Sequence, residues 1–223
     1  MMFLFEDEAG ESQLHLKGES FKYLIKVRRH SVGDILAFRS RRDIEILHSY
    51  EVVEIEPRKM TLKLQESKKY EVKHSKELHL GWCMIDPKSI EKVLPMLHEI
   101  GVSKISFILC DRTQKNFKLD MQRFKRLEEA SMQQSGRSNY IEFEEYSTVT
   151  KFVEEYPEVK VADFTDTELS DVEDISSVLV GCEGGFSQEE RELLKKQTIF
   201  RFATPNILRS ETAVVGIASK LLL

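Results

Sequence analysis

Hydrophobic and polar positions change their rhythm about a third of the way along the chain. Through the first seventy-odd residues the apolar positions come in short runs, "DILAF", "IEILHSYEVVEI" and "MTLKLQ", separated by Gly-Asp, charged and proline punctuation. Short strands at such close spacing predict a small barrel. One helix is expected ahead of them, because Phe21, Leu24 and Ile25 share a face in "ESFKYLIKV". After the charged stretch "ESKKYEVKHSKE" the runs lengthen. "LHLGWCMI" and "KISFILC" read as fully buried strands, and "IEFEEY", "EVKVADF" and "SSVLVG" as further ones. Amphipathic helices are predicted between and after them at "KSIEKVLPMLHEI", stopped by Gly101, "MQRFKRLEEASMQQ", "SQEERELLKK" and "ETAVVGIASKLLL". Apolar strands alternating with amphipathic helices predict an α/β unit, a parallel sheet covered on both faces. Two domains follow: a small β-barrel over 1–72 and an α/β domain over 73–223.

Composition narrows the setting. No apolar run is long enough to span a bilayer, and "MMFLFEDEAGE" turns acidic at once, so no signal peptide or membrane segment is expected. Cys83, Cys110 and Cys182 are scattered and odd in number, which fits a reducing cytoplasm. No pair has zinc-ligand spacing, so no metal is expected. The formal net charge is −5, yet seven basic residues lie between Ser20 and Arg42 against one acid, Asp34. The turn "HSVGD" would gather Arg28, Arg29, Arg39, Arg41 and Arg42 onto one patch able to neutralise phosphates. A nucleic-acid partner is therefore compatible with an acidic chain. From Ser138 to Asp174 twelve acids face two lysines, a stretch read as solvated surface.

The candidate chemistry lies in "LVGCEGGFSQEE". A strand runs into Gly181-Cys182-Glu183-Gly184-Gly185, and Ser187 with Glu190 forms a capping box that starts the next helix. Ligands of open α/β sheets sit beyond the carboxyl ends of strands. The turn lacks the spacing of a P-loop, of a dinucleotide fingerprint and of a nucleophile elbow. Glu183 would repel a phosphate, so the residues alone leave the ligand open, and a tight strand-to-helix turn with no function is the other reading. A second stretch, "FATPNILRSETAVVGIASKLL", places Arg209 and Glu211 at the mouth of an apolar helix, with Ser210 a natural N-cap.

These two segments resemble the G-P-E-G-G-F-S-x-E-E and I-L-R-x-E-T-A motifs of the RsmE-type 16S ribosomal RNA uridine-N3 methyltransferases, members of the SPOUT class. "LIKVRRHSVGDILAF", "HEIGVSKISFILCDRT" and "EEASMQQSGRSNY" are similar to three further motifs of that family, in the same order. Cys182 stands where the family usually has proline, Gln133 where it has glutamate, and "FATPN" where it has S-L-G-P-R.

The resemblance implies a SPOUT-type parallel sheet with a C-terminal trefoil knot behind a PUA-like barrel. It further implies a homodimer acting in the cytoplasm on the small ribosomal subunit, with S-adenosyl-L-methionine as cofactor and a specific uridine of 16S ribosomal RNA methylated at N3. A non-enzymatic RNA-binding factor on the same fold, or a ribose 2′-O-methyltransferase, is the alternative. Carried over residue by residue, the cofactor would meet Val180, Gly181, Glu183, Gly184, Gly185, Phe186, Ala203, Thr204, Ile207 and Leu208. Arg209, Glu211 and Arg137 would serve catalysis, with the base unassigned. Arg112, Gln134 and Arg137 would join the five arginines of the barrel on RNA.

Overall fold

A computed structural model of the chain describes residues 2–72, 74–114 and 116–223. The boundary expected at Lys73 thus falls outside the described residues. The chain divides into two compact units, Met1–Lys73 with Glu129–Asn139, and His74–Glu128 with Tyr140–Leu223.

The first unit contains β1 (Leu4–Phe5), β2 (Gln13–Lys17), α1 (Gly18–Lys22), β3 (Ile35–Ser40), β4 (Asp43–Ile55) and β5 (Lys59–Lys69). The strands form a sheet in the order β1-β3-β4-β5-β2, antiparallel except for the β1–β3 pair. Three of them are the strands expected from the sequence. The expected helix is α1 continued by a π-helical turn over Tyr23–Val27, and it buries Phe21 and Leu24. β2 was legible but not anticipated: Leu14 and Leu16 point inward while Gln13, His15 and Lys17 point out, the period-two signature of a half-buried strand. Leu14, Phe38, Tyr50, Met60 and Leu62 make the core. The Tyr50 hydroxyl stays satisfied there, donating to the Glu11 carbonyl (2.7 Å) and accepting from the Gly10 N–H (2.8 Å).

The second unit holds β6 (His79–Cys83), α2 (Pro87–Ile100), β7 (Lys104–Ile108), α3 (Met121–Ser135), β8 (Glu142–Tyr146), α4 (Val149–Glu155), β9 (Lys160–Ala162), β10 (Ser177–Val180), α5 (Gln188–Leu194), β11 (Ile199–Phe200) and α6 (Ser210–Leu222). From Glu129 onward, the end of α3 counts with the first unit. All six strands pair in parallel, in the order β11-β9-β10-β6-β7-β8. The α/β class and parallel sheet expected from the apolar runs are present. Leu80, Trp82, Ile105, Phe107, Val178 and Leu179 are wholly buried, as strands covered on both faces require. β6 needs its glycine: a Cβ on Gly81 would stand 2.4 Å from the Phe152 ring that α4 lays over it. α2 starts where Asp86 accepts the Ser89 N–H and Pro87 fills the first helical position. It stops at Gly101 in the left-handed region (φ 113°), as expected. Among the described residues no helix is long and apolar enough to cross a membrane.

Candidate functional site

β6, β7 and β10 are neighbours, and their carboxyl ends open toward the glycine turn. The capping box forms as the sequence required: Ser187 Oγ accepts the Glu190 N–H (3.2 Å) and Glu190 Oε2 accepts the Ser187 N–H (2.8 Å). The loop after β7 locks onto the same turn. The Asp111 N–H donates to Glu190 Oε1 (2.9 Å), Ser187 Oγ–H donates to Asp111 Oδ2 (2.5 Å), and Arg112 Nη1 donates to the Gly184 carbonyl (2.6 Å). Glu190 is buried, and desolvation pushes its carboxyl above the usual range despite the backbone N–H groups it accepts.

This wiring decides what the turn can hold. The positive end of α5 already faces two carboxylates of the protein, Glu190 and Asp111, and the Ser187, Glu190 and Gly185 N–H groups are spent internally. A phosphate would find those donors taken and negative charge in its way. Glu183 is exposed, so the turn offers carboxylate and bare backbone to a ligand, a match for a cation. Its glycines are needed for different reasons. Gly185 adopts φ +67°, while a Cβ on Gly184 would press to 3.2 Å on Arg112 Cβ. These features fit a sulfonium-bearing donor better than a nucleotide phosphate. Val180 and Phe186, both expected at the cofactor, are core residues with 4% and 1% exposure and can offer only backbone to it.

The turn is tied to the second motif through Ser210. Its hydroxyl donates to the Gly181 carbonyl (2.6 Å) and accepts the indole N–H of Trp82 from β6 (2.8 Å). The helix cap is Arg209, with no side-chain capping bond, so the expectation that Ser210 caps α6 is corrected: it is the first helical residue, and its hydroxyl is used sideways. The same anchorage brings Arg209 and Glu211 to the mouth of the turn. Arg209 is 83% exposed in its side chain, and its Nη1 lies 4.0 Å from Glu211 Oε1. Ahead of it, Ala203 and Ile207 are exposed, Thr204 and Leu208 half-buried, and Thr204 Oγ1 accepts the Asn206 N–H (3.2 Å).

The expected RNA contacts divide. In the first unit, Arg28 and Gln134 line one cavity of about 950 Å³ together with Tyr23 and His30. Arg28 Nε donates to the Tyr23 hydroxyl (2.7 Å). Arg29 and Arg42 are exposed. Arg39 is a correction: it is 1% exposed, its Nη1 and Nη2 donate to the Ile44 (2.5 Å) and Tyr70 (2.7 Å) carbonyls, and its guanidinium lies over Phe3. Arg41 is engaged by Asp7 (3.0 Å) and Glu129 (3.1 Å). Arg137, expected both at catalysis and on RNA, is buried with Nε donating to Asn139 Oδ1 (3.0 Å). That placement holds a chain segment and does not grip RNA. Arg112 braces the turn through Gly184.

Sequence reading missed one cluster altogether. The three cysteines, scattered along the sequence, stand at the carboxyl ends of neighbouring strands, with Cys110 Sγ 3.4 Å from Cys182 Sγ. Their separations along the chain gave no sign of it; only the order of the parallel strands does.

Against known proteins, residues 72–222 match the family described as RNA methyltransferase domain. The chain is 37% identical to the ribosomal RNA small subunit methyltransferase E of Helicobacter pylori, over 98% of each sequence. In fold it is similar to the ribosomal RNA small subunit methyltransferase E of Neisseria gonorrhoeae bound to S-adenosyl methionine. That pair has a TM-score of 0.75 and 16% identity, over 99% of this chain and 96% of the other. A Legionella pneumophila methyltransferase in complex with the bound cofactor SAM gives a TM-score of 0.75 at 20% identity, over 99% and 95%. The chain belongs to the RNA methyltransferase family that includes the ribosomal RNA small subunit methyltransferase E proteins.

Proposed function

We propose that this protein transfers a methyl group from S-adenosyl-L-methionine to N3 of a specific uridine in 16S ribosomal RNA of the small ribosomal subunit. One observation carries the reading: a glycine turn with an exposed carboxylate and internally spent N–H groups is bonded, through Ser210, to a helix mouth bearing an exposed arginine. The names and cofactor of the similar proteins support the same chemistry.

When bound, S-adenosylmethionine supplies an electrophilic methyl on a positively charged sulfur. Gly181, Glu183, Gly184 and Gly185, with the backbone of Val180 and Phe186, form one wall of its seat. Ala203, Thr204, Ile207 and Leu208 form the other. Uracil N3 must lose a proton to become a nucleophile, and the charge it leaves spreads onto the flanking carbonyl oxygens. A guanidinium does not readily act as a base, so Arg209 stabilises that charge rather than taking the proton. Glu211, in the first turn of α6, lies beside Arg209, its Oε1 4.0 Å from Arg209 Nη1. Holding the two reactants in line supplies much of the acceleration.

The finer architecture follows the family resemblance. The unit centred on residues 1–72 is a PUA-like barrel that anchors RNA through Arg28, Arg29, Arg42 and Gln134. Residues 73–223 carry methyl transfer and close in a trefoil knot, consistent with β11 returning beside β9 before α6 packs on α2 and β10. The working form is a cytoplasmic homodimer. The test is nucleoside mass spectrometry of small-subunit RNA from a strain lacking the gene, before and after incubation with purified protein and S-adenosylmethionine. 3-Methyluridine should be missing and then restored. Its persistence in the deletion strain would sink the assignment, and methylation appearing on a ribose would change the target.

A further inference from the structure

Methyl transfer makes no use of the three thiols, yet the fold delivers all of them to one place. Cys83 ends β6, Cys110 lies two residues beyond β7, and Cys182 lies two residues beyond β10. Those strands are adjacent and parallel, so their carboxyl ends bring the thiols to one level. Cys182 Sγ donates to Cys110 Sγ at 3.4 Å, and Cys83 closes the adjacent strand β6 beside them. Burial is unequal: Cys83 is 0% exposed, Cys110 5% and Cys182 7%, so only the latter two touch solvent.

We propose that Cys110 and Cys182 are a peroxide-responsive pair whose oxidation to an intramolecular disulfide distorts the glycine turn and closes the cofactor seat. The effect on the cofactor rests on the function proposed above; the reactivity of the pair does not. Cys110 is the attacking sulfur, because the hydrogen bond from Cys182, then the influence of the Cys83 thiol, outweighs burial and pulls its thiol well below the usual range. Its thiolate attacks one oxygen of hydrogen peroxide, the O–O bond breaks, and hydroxide leaves to become water. The sulfenic acid formed on Cys110 is then attacked by the sulfur of Cys182, which gives up its proton; the S–O bond breaks and a second water leaves. Two thiols lose two electrons, and one peroxide is reduced to two waters.

The turn feels this bond directly. The sulfurs must close from 3.4 Å to about 2.05 Å, drawing Cys182 toward the end of β7. The Gly185 carbonyl, 3.7 Å from Cys182 Sγ, is the alternative acceptor for its one proton, and the Cys182 carbonyl accepts the Gly185 N–H at 2.9 Å. A disulfide removes that proton and strains the latter hydrogen bond, in a turn whose Gly184 carbonyl is already pinned by Arg112. A proline at position 182 would remove the pair.

The experiment treats the full-length protein with hydrogen peroxide, alkylates it under denaturing conditions and maps peptides, while calorimetry follows S-adenosylhomocysteine binding. The expected result is a Cys110–Cys182 crosslinked peptide, alkylation of Cys83 alone, and affinity about tenfold weaker, recovered with dithiothreitol. Cys110→Ser should bind as the reduced protein does and ignore peroxide. Cys182→Pro should also show no crosslink, which guards against a Cys110 variant that fails to fold. Three alkylated cysteines after treatment, a link through Cys83 or between chains, or a crosslinked protein with unchanged affinity would each overturn the proposal. Failure of the reduced protein to bind would instead strike the cofactor reading, because the crosslink is scored without ligand.

Discussion

The two ends of the central strands each carry a polar cluster, and they are built to opposite purposes. At the amino ends, Lys104 Nζ donates to Glu144 (2.7 Å) and to the Tyr156 hydroxyl (3.0 Å), while Ser106, Tyr146 and Tyr156 all donate to Glu144 Oε2. His79 completes the group, with Nε2 2.8 Å from Ser106 Oγ and Nδ1 3.4 Å from Ser177 Oγ. The hydrogen bonds there end inside the cluster. At the carboxyl ends, by contrast, Ser210, Glu190 and Asp111 are paired so that Glu183 and Arg209 remain outward. Both clusters are rich in titratable groups, so composition does not tell a site from a brace. Where the hydrogen bonds terminate does.

The contrast is open to direct attack, and the largest effect falls on its open side. Arg209→Ala should lower kcat about 100-fold while leaving the melting temperature and S-adenosylhomocysteine affinity unchanged, since the exposed side chain supports nothing else. A similar kcat loss in Lys104→Met would erase the distinction between the two ends. Ser210→Ala should cost about 1–3 kcal/mol in denaturant unfolding, because it strands the Trp82 N–H and the Gly181 carbonyl, and it should weaken cofactor binding as well. Lys104→Met should cost about 1–2 kcal/mol, because Glu144 Oε1 loses its donor while Oε2 keeps three hydroxyls, but it should spare the kinetic constants of the remaining folded protein.

Acid sharpens the comparison further. Desolvation, reinforced by Lys104, pulls the His79 imidazole down to about 4 from 6.5. The unfolded chain therefore takes up a proton that the folded one refuses. This contribution is fully present above about pH 6.5 and is lost as pH falls toward 4. Melting temperatures across that interval should drop in the wild type and drop less in His79→Gln. The mildest effect belongs to the first unit. Replacing Arg28 and Arg42 by Ala should raise KM for RNA a few-fold and reduce the salt slope by about 0.9 for each phosphate no longer neutralised, with cofactor binding untouched.

What the sequence disclosed follows from the range of the interactions involved. The capping box at Ser187 and Glu190, the Gly101 stop and the buried strands are local, and periodicity or spacing reveals them. Arg39 misled because strand alternation failed around it. The β3–β4 register shifts between Phe38 and Ser40, and three consecutive residues, Phe38, Arg39 and Ser40, are buried. α4 and β11 are short, at seven and two residues, too brief for a period to declare itself. The use of Ser210 depends on partners at 181 and 82, and the meeting of the cysteines on strand order, neither of which has a one-dimensional signature.

The bond between Trp82 and Ser210 has a practical side. This chain has a single tryptophan, wholly buried, and its indole N–H ends on the hydroxyl that also holds the Gly181 carbonyl. Its ultraviolet emission is thus a built-in optical gauge of whether the far end of the chain has docked, readable without any label.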